Sequence, residues 1–387
     1  MNQNELNELK RCFKPENPWL SMGNVLTAYV KITGIEKEAV FVKVRPFEDF
    51  SPEEQEIHLK MLKKVLSSKL GKNGRIYKFT NDEKGKETEK SFYALRQSRL
   101  NEQEMIDWFL EQIKEHAGYE ESFYCTLMFC DFLVPAKDKN QEINTDSERG
   151  RVPFLVGAFN QVTLTSLGLV FDPQTEEIVR KNNVEMQVKD KVLDGFMYPV
   201  ITDGAGDISR VLYYSSKPKD PNGVMCEDLF SAQFELSMNE EEDAFHNVVE
   251  SIYDGEIGFQ TISRLQETLH DLLENKDEEE EEIQLDANGI RDLLENAGTS
   301  ERALGKLDSA MAVNLDDQSI YAANAMNADK IDINAGGIKI SAPFSEKDRI
   351  KSEKRDGRFC LTVELNGQLT YNGFAVNPTE RKAPEED

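Results

Sequence analysis

The chain has 387 residues, enough for two or three domains, and its 30% charged and 39% hydrophobic content is that of a soluble globular protein. A formal net charge of −26 opposes non-specific attraction to nucleic acid or to an anionic membrane. No apolar run approaches the roughly 18 residues that span a bilayer. The opening MNQNELNELKRC lacks the apolar core of a secretory signal, and the five cysteines are scattered without a CxxC pair. A cytoplasmic protein with reduced thiols is therefore expected, with no membrane contact, no metal and no cofactor.

In chain order, Asn4–Cys12 reads as a short helix. Val25–Ile32 and Ala39–Val44 read as strands around a turn at Gly34–Lys37. Ser51-Pro-Glu-Glu54 is a helix start: Ser caps, Pro occupies the first helical position and Glu54 completes a capping box. That helix is expected to reach Leu70, with Leu59, Leu62, Leu66 and Leu70 on one face and Gly71 as its stop. Arg75–Thr80 reads as a strand, Asn81–Lys90 as a hydrophilic loop and Phe92–Leu95 as a further strand. Asn101-Glu-Gln-Glu104 caps a second amphipathic helix, whose buried side carries Met105, Ile106, Phe109, Leu110 and Ile113.

The organising stretch is Phe123–Val134 with its partner Val152–Leu164. Phe123, Cys125, Leu127, Phe129 and Leu133 alternate with Tyr124, Met128, Cys130, Phe132 and Val134. A strand apolar on both faces must be covered on both, so these are central strands of a sheet between layers. Cys125 and Cys130 differ in parity and belong to opposite faces. Pro135–Arg151 reads as an exposed loop, Val184–Val188 and Val211–Tyr214 as strands, and Asp203–Asp207 as a turn.

From Asn239 the periodicity becomes helical, with stripes at Phe245, Val248, Val249 and Ile252 and at Ile262, Leu265, Leu269 and Leu272. The like-charged run Asp277–Glu282 reads as a linker. Two short helices follow, at Ile290–Leu294 and Ala303–Met311. Short strands at Ile331–Ile333, Ile338–Ser341, Phe359–Leu365 and Leu369–Tyr371 come next, with Asn366-Gly367 as a hairpin turn. The expected fold is α+β: a mixed, largely antiparallel sheet covered by helices, then a helical segment and a C-terminal β-meander. The expected bounds are a core at 1–238, helices at 239–276, an acidic linker at 277–284, small helices and a β-rich module at 285–378, and a disordered tail at 379–387.

Leu212-Tyr-Tyr214, Leu236-Ser237 followed by Phe245, and Glu267-Thr-Leu269 resemble the domain of unknown function 4317 family of bacteria. The resemblance extends to Glu5, Leu9, Lys10, Arg11 and Phe13, to Leu70-Gly-Lys-Asn73, and to Asp131, Pro135 and Lys137. Many relatives in that family have His before the aspartate where this chain has Cys130, so His–Asp chemistry is not implied here. The family name implies no activity. In layout alone the chain is also similar to bacterial nucleoid-associated proteins.

The candidate contact surface is a basic island. Between Ile57 and Asn81 there are seven basic residues and no acidic one, and Lys60, Lys63, Lys64, Lys72 and Arg75 are the candidate nucleic-acid contacts. The competing reading is a solvated helix face that pairs with the protein's own acids. Gly71-Lys-Asn-Gly74 follows a helix, so it reads as a helix cap and not as a phosphate loop. Asp131 is the one acid in the central strand, a structural residue or a general acid or base held against apolar surface. His58, His116, His246 and His270 are spread over helices without zinc spacing, and His58 and His116 are expected on exposed faces. The leading expectation is a non-enzymatic binding protein, with nucleic acid or another acidic partner on the basic island. The alternatives are an enzyme centred on Asp131, or an adaptor that binds a protein through the acidic linker or the C-terminal module.

Overall fold

The computed structural model describes residues 1–137, 143–164, 168–172, 177–181, 186–233, 236–276, 282–316, 318–355 and 357–377. The expected tail lies outside these residues, as does most of the acidic run. The chain divides into two compact units, Met1–Ala244 with Lys276–Gln284, and Phe245–Asn275 with Leu285–Asp387.

The first unit opens with helix α1 (Gln3–Cys12), capped by a reciprocal box between Asn2 and Glu5. The hairpin β1 (Leu20–Thr33) and β2 (Glu36–Pro46) follows, then α2 (Pro52–Val65) and β3 (Gly74–Lys78). Next come α3 (Glu83–Gln97), α4 (Gln103–His116), β4 (Phe123–Lys137) and β5 (Ile143–Leu164). The hairpin of β6 (Gly168–Asp172) and β7 (Glu177–Lys181) leads to β8 (Met186–Tyr198). A second small hairpin, β9 (Val200–Thr202) and β10 (Ala205–Asp207), turns at Asp203-Gly204, so only the first part of the expected turn Asp203–Asp207 is turn and the rest is strand; β11 (Arg210–Ser215) closes the series.

The sheet runs β2-β1-β4-β5-β8-β11-β3, and its six pairings are all antiparallel. The expected α+β class is the observed one. The parity read from Phe123–Val134 holds. Cys125, Leu127 and Phe129 join α3 and α4 in one core, while Met128, Cys130 and Phe132 join α1 and α2 in the other. A sheet apolar on both faces is thus sealed by a helical layer on each. α2 lies close over β8 because Gly195 has no side chain, and a Cβ there would stand 2.3 Å from Val65 Cγ2.

Several expected elements are corrected. From Glu83 onward the expected loop Asn81–Lys90 is helix, and Phe92–Leu95 is not a strand: both belong to α3, which Asp82 caps through the Gly85 amide at 2.8 Å. The charged residues of that segment are good helix formers, and Phe92 and Leu95, three apart, share its buried face. α4 begins without a side-chain cap, since Asn101 Oδ1 instead accepts from Asn24 Nδ2 at 2.8 Å. α2 ends at Val65, not Leu70, so Gly71-Lys-Asn-Gly74 is a turn into β3 and not a helix cap. The described ends of Pro135–Arg151 are continuations of β4 and β5, not loop.

The division between units falls within α5 (Met238–Ile252). In the second unit Phe245, Val248, Val249 and Ile252 are buried, as are Leu265 and Leu269 of α6 (Phe259–Glu274). α6 packs on α7 (Ala287–Asn296), which also contacts α8 (Glu301–Leu304) and α9 (Leu307–Asn314). Three antiparallel hairpins complete the module, pairing 330–335 with 338–343, 350–355 with 358–363, and 369–371 with 374–376. Asn366-Gly367 lies between two hairpins, and Asn372-Gly373 makes the last turn. Among the described residues no helix is long and apolar enough to cross a membrane.

Candidate functional site

The structure separates the members of the basic island. Lys60, Lys64 and Lys72 are exposed and Lys63 is half-buried. Lys60 Nζ donates to Asp190 Oδ2 of β8 at 2.9 Å, with both side chains largely in solvent. Arg75 is not on this surface at all. It is 2% exposed, and its guanidinium grips both carboxylate oxygens of Glu241 at 3.1 and 3.2 Å. A fork of two parallel charged hydrogen bonds between β3 and the first turn of α5 is a structural clamp.

Asp131 is 8% exposed, and its carboxylate lies 4.0 Å from the Arg99 guanidinium. Arg99 also lies over the Phe129 ring, 5.4 Å from its centroid. Asp131 lines none of the three clefts described for this protein. His58 is buried, against expectation, because α2 turns the face of His58, Met61 and Leu62 toward the sheet. Among the described residues no three His, Cys, Asp or Glu side chains are grouped as a metal ion would require.

The site with the most built-in chemistry surrounds Asp194, which sequence reasoning did not single out. Asp194 sits on β8 where the ladder to β5 slips: Phe159 faces Asp194, but Asn160 faces Val192. Such a bulge re-aims the side chains beside it. Asp194 is 5% exposed, yet both of its oxygens are satisfied. Tyr213 of β11 donates to Oδ1 at 2.6 Å, and Tyr119 donates to Oδ2 at 2.8 Å. Tyr119 is delivered by the end of α4, where Gly118 takes φ +71°. A Cβ on Gly118 would also meet Asn222 Oδ1 at 2.5 Å, so glycine is required there twice over.

Asn222 locks the network from the other side. Its amide nitrogen donates to Tyr213 Oη at 3.0 Å, and its side chain joins Ala117 O to the Met225 amide. Burial pushes the Asp194 carboxyl above its usual range against the lowering effect of the hydroxyls. Burial, and then the neighbouring carboxylate, push the phenols of Tyr119 and Tyr213 well above theirs. Both tyrosines therefore keep their protons at neutral pH.

Above this network opens a cleft of about 580 Å³ that includes Asp194 in its wall. Four carboxylates (Glu120, Glu121, Asp194 and Asp220) face two lysines, Lys191 and Lys217. Ser216, also in the wall, has a buried hydroxyl without a hydrogen-bond partner. A concave site holding a buried carboxyl of shifted pKa fits the general pattern of ligand sites.

The chain belongs to the family described as domain of unknown function (DUF4317), whose model matches residues 1–374. No curated protein matches it. In this DUF4317 chain, the signal that drew notice to Asp131 was equally available for Asp194. Asp194 is the one acid in the otherwise apolar run Val192–Ile201, and two tyrosines of the Leu212-Tyr-Tyr214 segment lie two strand residues or fewer from its partner Ser215.

Proposed function

We propose that this protein is a cytoplasmic binding protein whose Asp194 cleft receives a small polar molecule carrying a protonated amine. The observation that supports this most directly is a 5%-exposed carboxyl in the wall of a 580 Å³ cleft where acids outnumber lysines. A cation entering such a site meets a partly desolvated counter-charge, and the tyrosines hold that counter-charge in one orientation. Among the described residues the wall supplies serine, amide and carboxylate groups but no histidine or cysteine. With protonated phenols occupying an Asp194 lone pair on each side, the arrangement suits holding a ligand better than moving its protons.

Calorimetric titration with putrescine, agmatine and spermidine, with succinate as the anionic control, tests the reading. At least one amine is expected to bind stoichiometrically and to weaken in the double variant Glu120→Gln/Asp220→Asn, which alters only exposed rim residues. Absence of amine binding, or equal binding of succinate, ends the proposal.

A second reading, a polyanion contact on the lysine face, draws support from one observation. Lys64, Lys69 and Lys72 are all exposed along the end of α2 and the turn that follows, within a stretch free of acids.

A further inference from the structure

A smaller cleft, of about 340 Å³, opens on the opposite side of β8 and is walled by α2, β4 and β8. It is independent of the Asp194 site and shares no residue with it. Its chemistry is also different. Ile57 and Val188 stand at 54% and 37% exposure, and Met61 and the half-buried Tyr124 ring continue the apolar surface between them. Two lysines, Lys60 and Lys189, belong to the same wall.

The acids of this wall are already engaged. Glu54 closes the capping box with Ser51 and pairs with Arg45 at 3.4 Å. Asp190 pairs with Lys60, which leaves Lys189 as the surplus cation. His58 supplies a second, separate observation. It is 8% exposed, its ring meets Phe50 edge-on at 4.8 Å, and its Nδ1 is buried without a hydrogen-bond partner. An unsatisfied buried nitrogen is costly, and this one belongs to a residue of the cleft wall.

We propose that this cleft binds a small apolar carboxylic acid, its body on Ile57, Met61, Tyr124 and Val188 and its carboxylate held by Lys189 and Lys60. The ligand carboxylate displaces Asp190 from Lys60, an exchange that is cheap because that ion pair is exposed. The basic island then contributes a residue to a small-molecule site and not only to a surface field.

The test uses octanoate, with octylamine and 1-octanol as chain-matched probes, followed by the Met61 methyl resonance in protein labelled at methionine methyls. Octanoate is expected to shift that resonance saturably. The double variant Lys60→Gln/Lys189→Gln should weaken it about tenfold or more, the worth of a lost charged hydrogen bond. Val188→Asp, at an exposed position, should abolish it. Equal binding of octylamine or octanol overturns the proposal, because the cations would then select nothing. Octanoate binding unchanged in both variants, or no shift of the Met61 signal at millimolar octanoate, overturns it equally.

Discussion

Asp194 shows how one residue can bind two opposing requirements. Its burial favours the protonated form, while Tyr119 and Tyr213 donate to the ionised one, and burial wins. A carboxyl whose folded-state pKa lies above its unfolded value holds its proton more tightly in the native protein. Its contribution to stability is therefore fully present below the unfolded pKa and is lost as pH rises through the raised folded value. Asp194→Asn has no such titration. In urea unfolding between pH 4 and pH 8, the wild type should lose stability relative to Asp194→Asn as pH rises. Groups common to both proteins, such as Glu240 with its lowered pKa, cancel in the comparison. A difference independent of pH would show that the carboxyl titrates normally. Glu241 follows another rule, since its partner Arg75 is a permanent charge. Glu241→Gln leaves a buried guanidinium short of its counter-ion and should cost about 3–5 kcal/mol in the same assay, whereas Lys60→Gln, at a solvent-exposed pair, should cost about 1 kcal/mol or less.

At the scale of elements, legibility depended on how much of each pattern was apolar. The double alternation of Phe123–Val134 was readable because every position reports a face, and the capping box at Ser51 was readable because it is local. α3 was not, because its buried residues are few and its first two turns are charged. β8 was read only at its exposed start, and its apolar half, which carries Asp194, went unassigned. The ion pairs were beyond reach for a simpler reason: Arg75 and Glu241 lie 166 residues apart, and Lys60 and Asp190 lie 130 apart. α3 also offers a sharp test of local against tertiary effects. Helix propensity alone says that Gly85→Ala should stabilise by about 1 kcal/mol. The structure says otherwise, because the added Cβ would stand 2.1 Å from Thr80 O, a backbone atom, and 2.3 Å from Thr80 Oγ1, which donates to the capping Asp82. Overpacking should prevail, with a net loss of about 1–3 kcal/mol in urea unfolding. A more stable Gly85→Ala would mean that the turn before α3 yields easily.

The whole molecule sets the terms for the lysine face. A charge of −26 works against any polyanion at long range, but in physiological salt that field is screened beyond about 8 Å, so a local patch can still act. What the patch can do is limited by its membership. Arg75 is buried in a clamp and contributes nothing to it, and Lys60 must first leave Asp190. Three or four lysines remain as phosphate contacts. Counter-ion release then predicts a slope of log affinity against log salt of about −2.7 to −3.6, so affinity for duplex DNA should fall about 40- to 150-fold between 50 and 200 mM salt. Fluorescence anisotropy with labelled duplex and single-stranded DNA measures that slope, and the triple variant Lys60→Glu/Lys63→Glu/Lys64→Glu should abolish binding at the lowest salt. A slope shallower than about −1 would mean that fewer than two phosphates are neutralised. Either that slope or binding that survives in the triple variant removes the polyanion reading. The lysines would then be partners for the chain's own surplus acids, and Lys60 would keep only its place at the mouth of the His58 cleft.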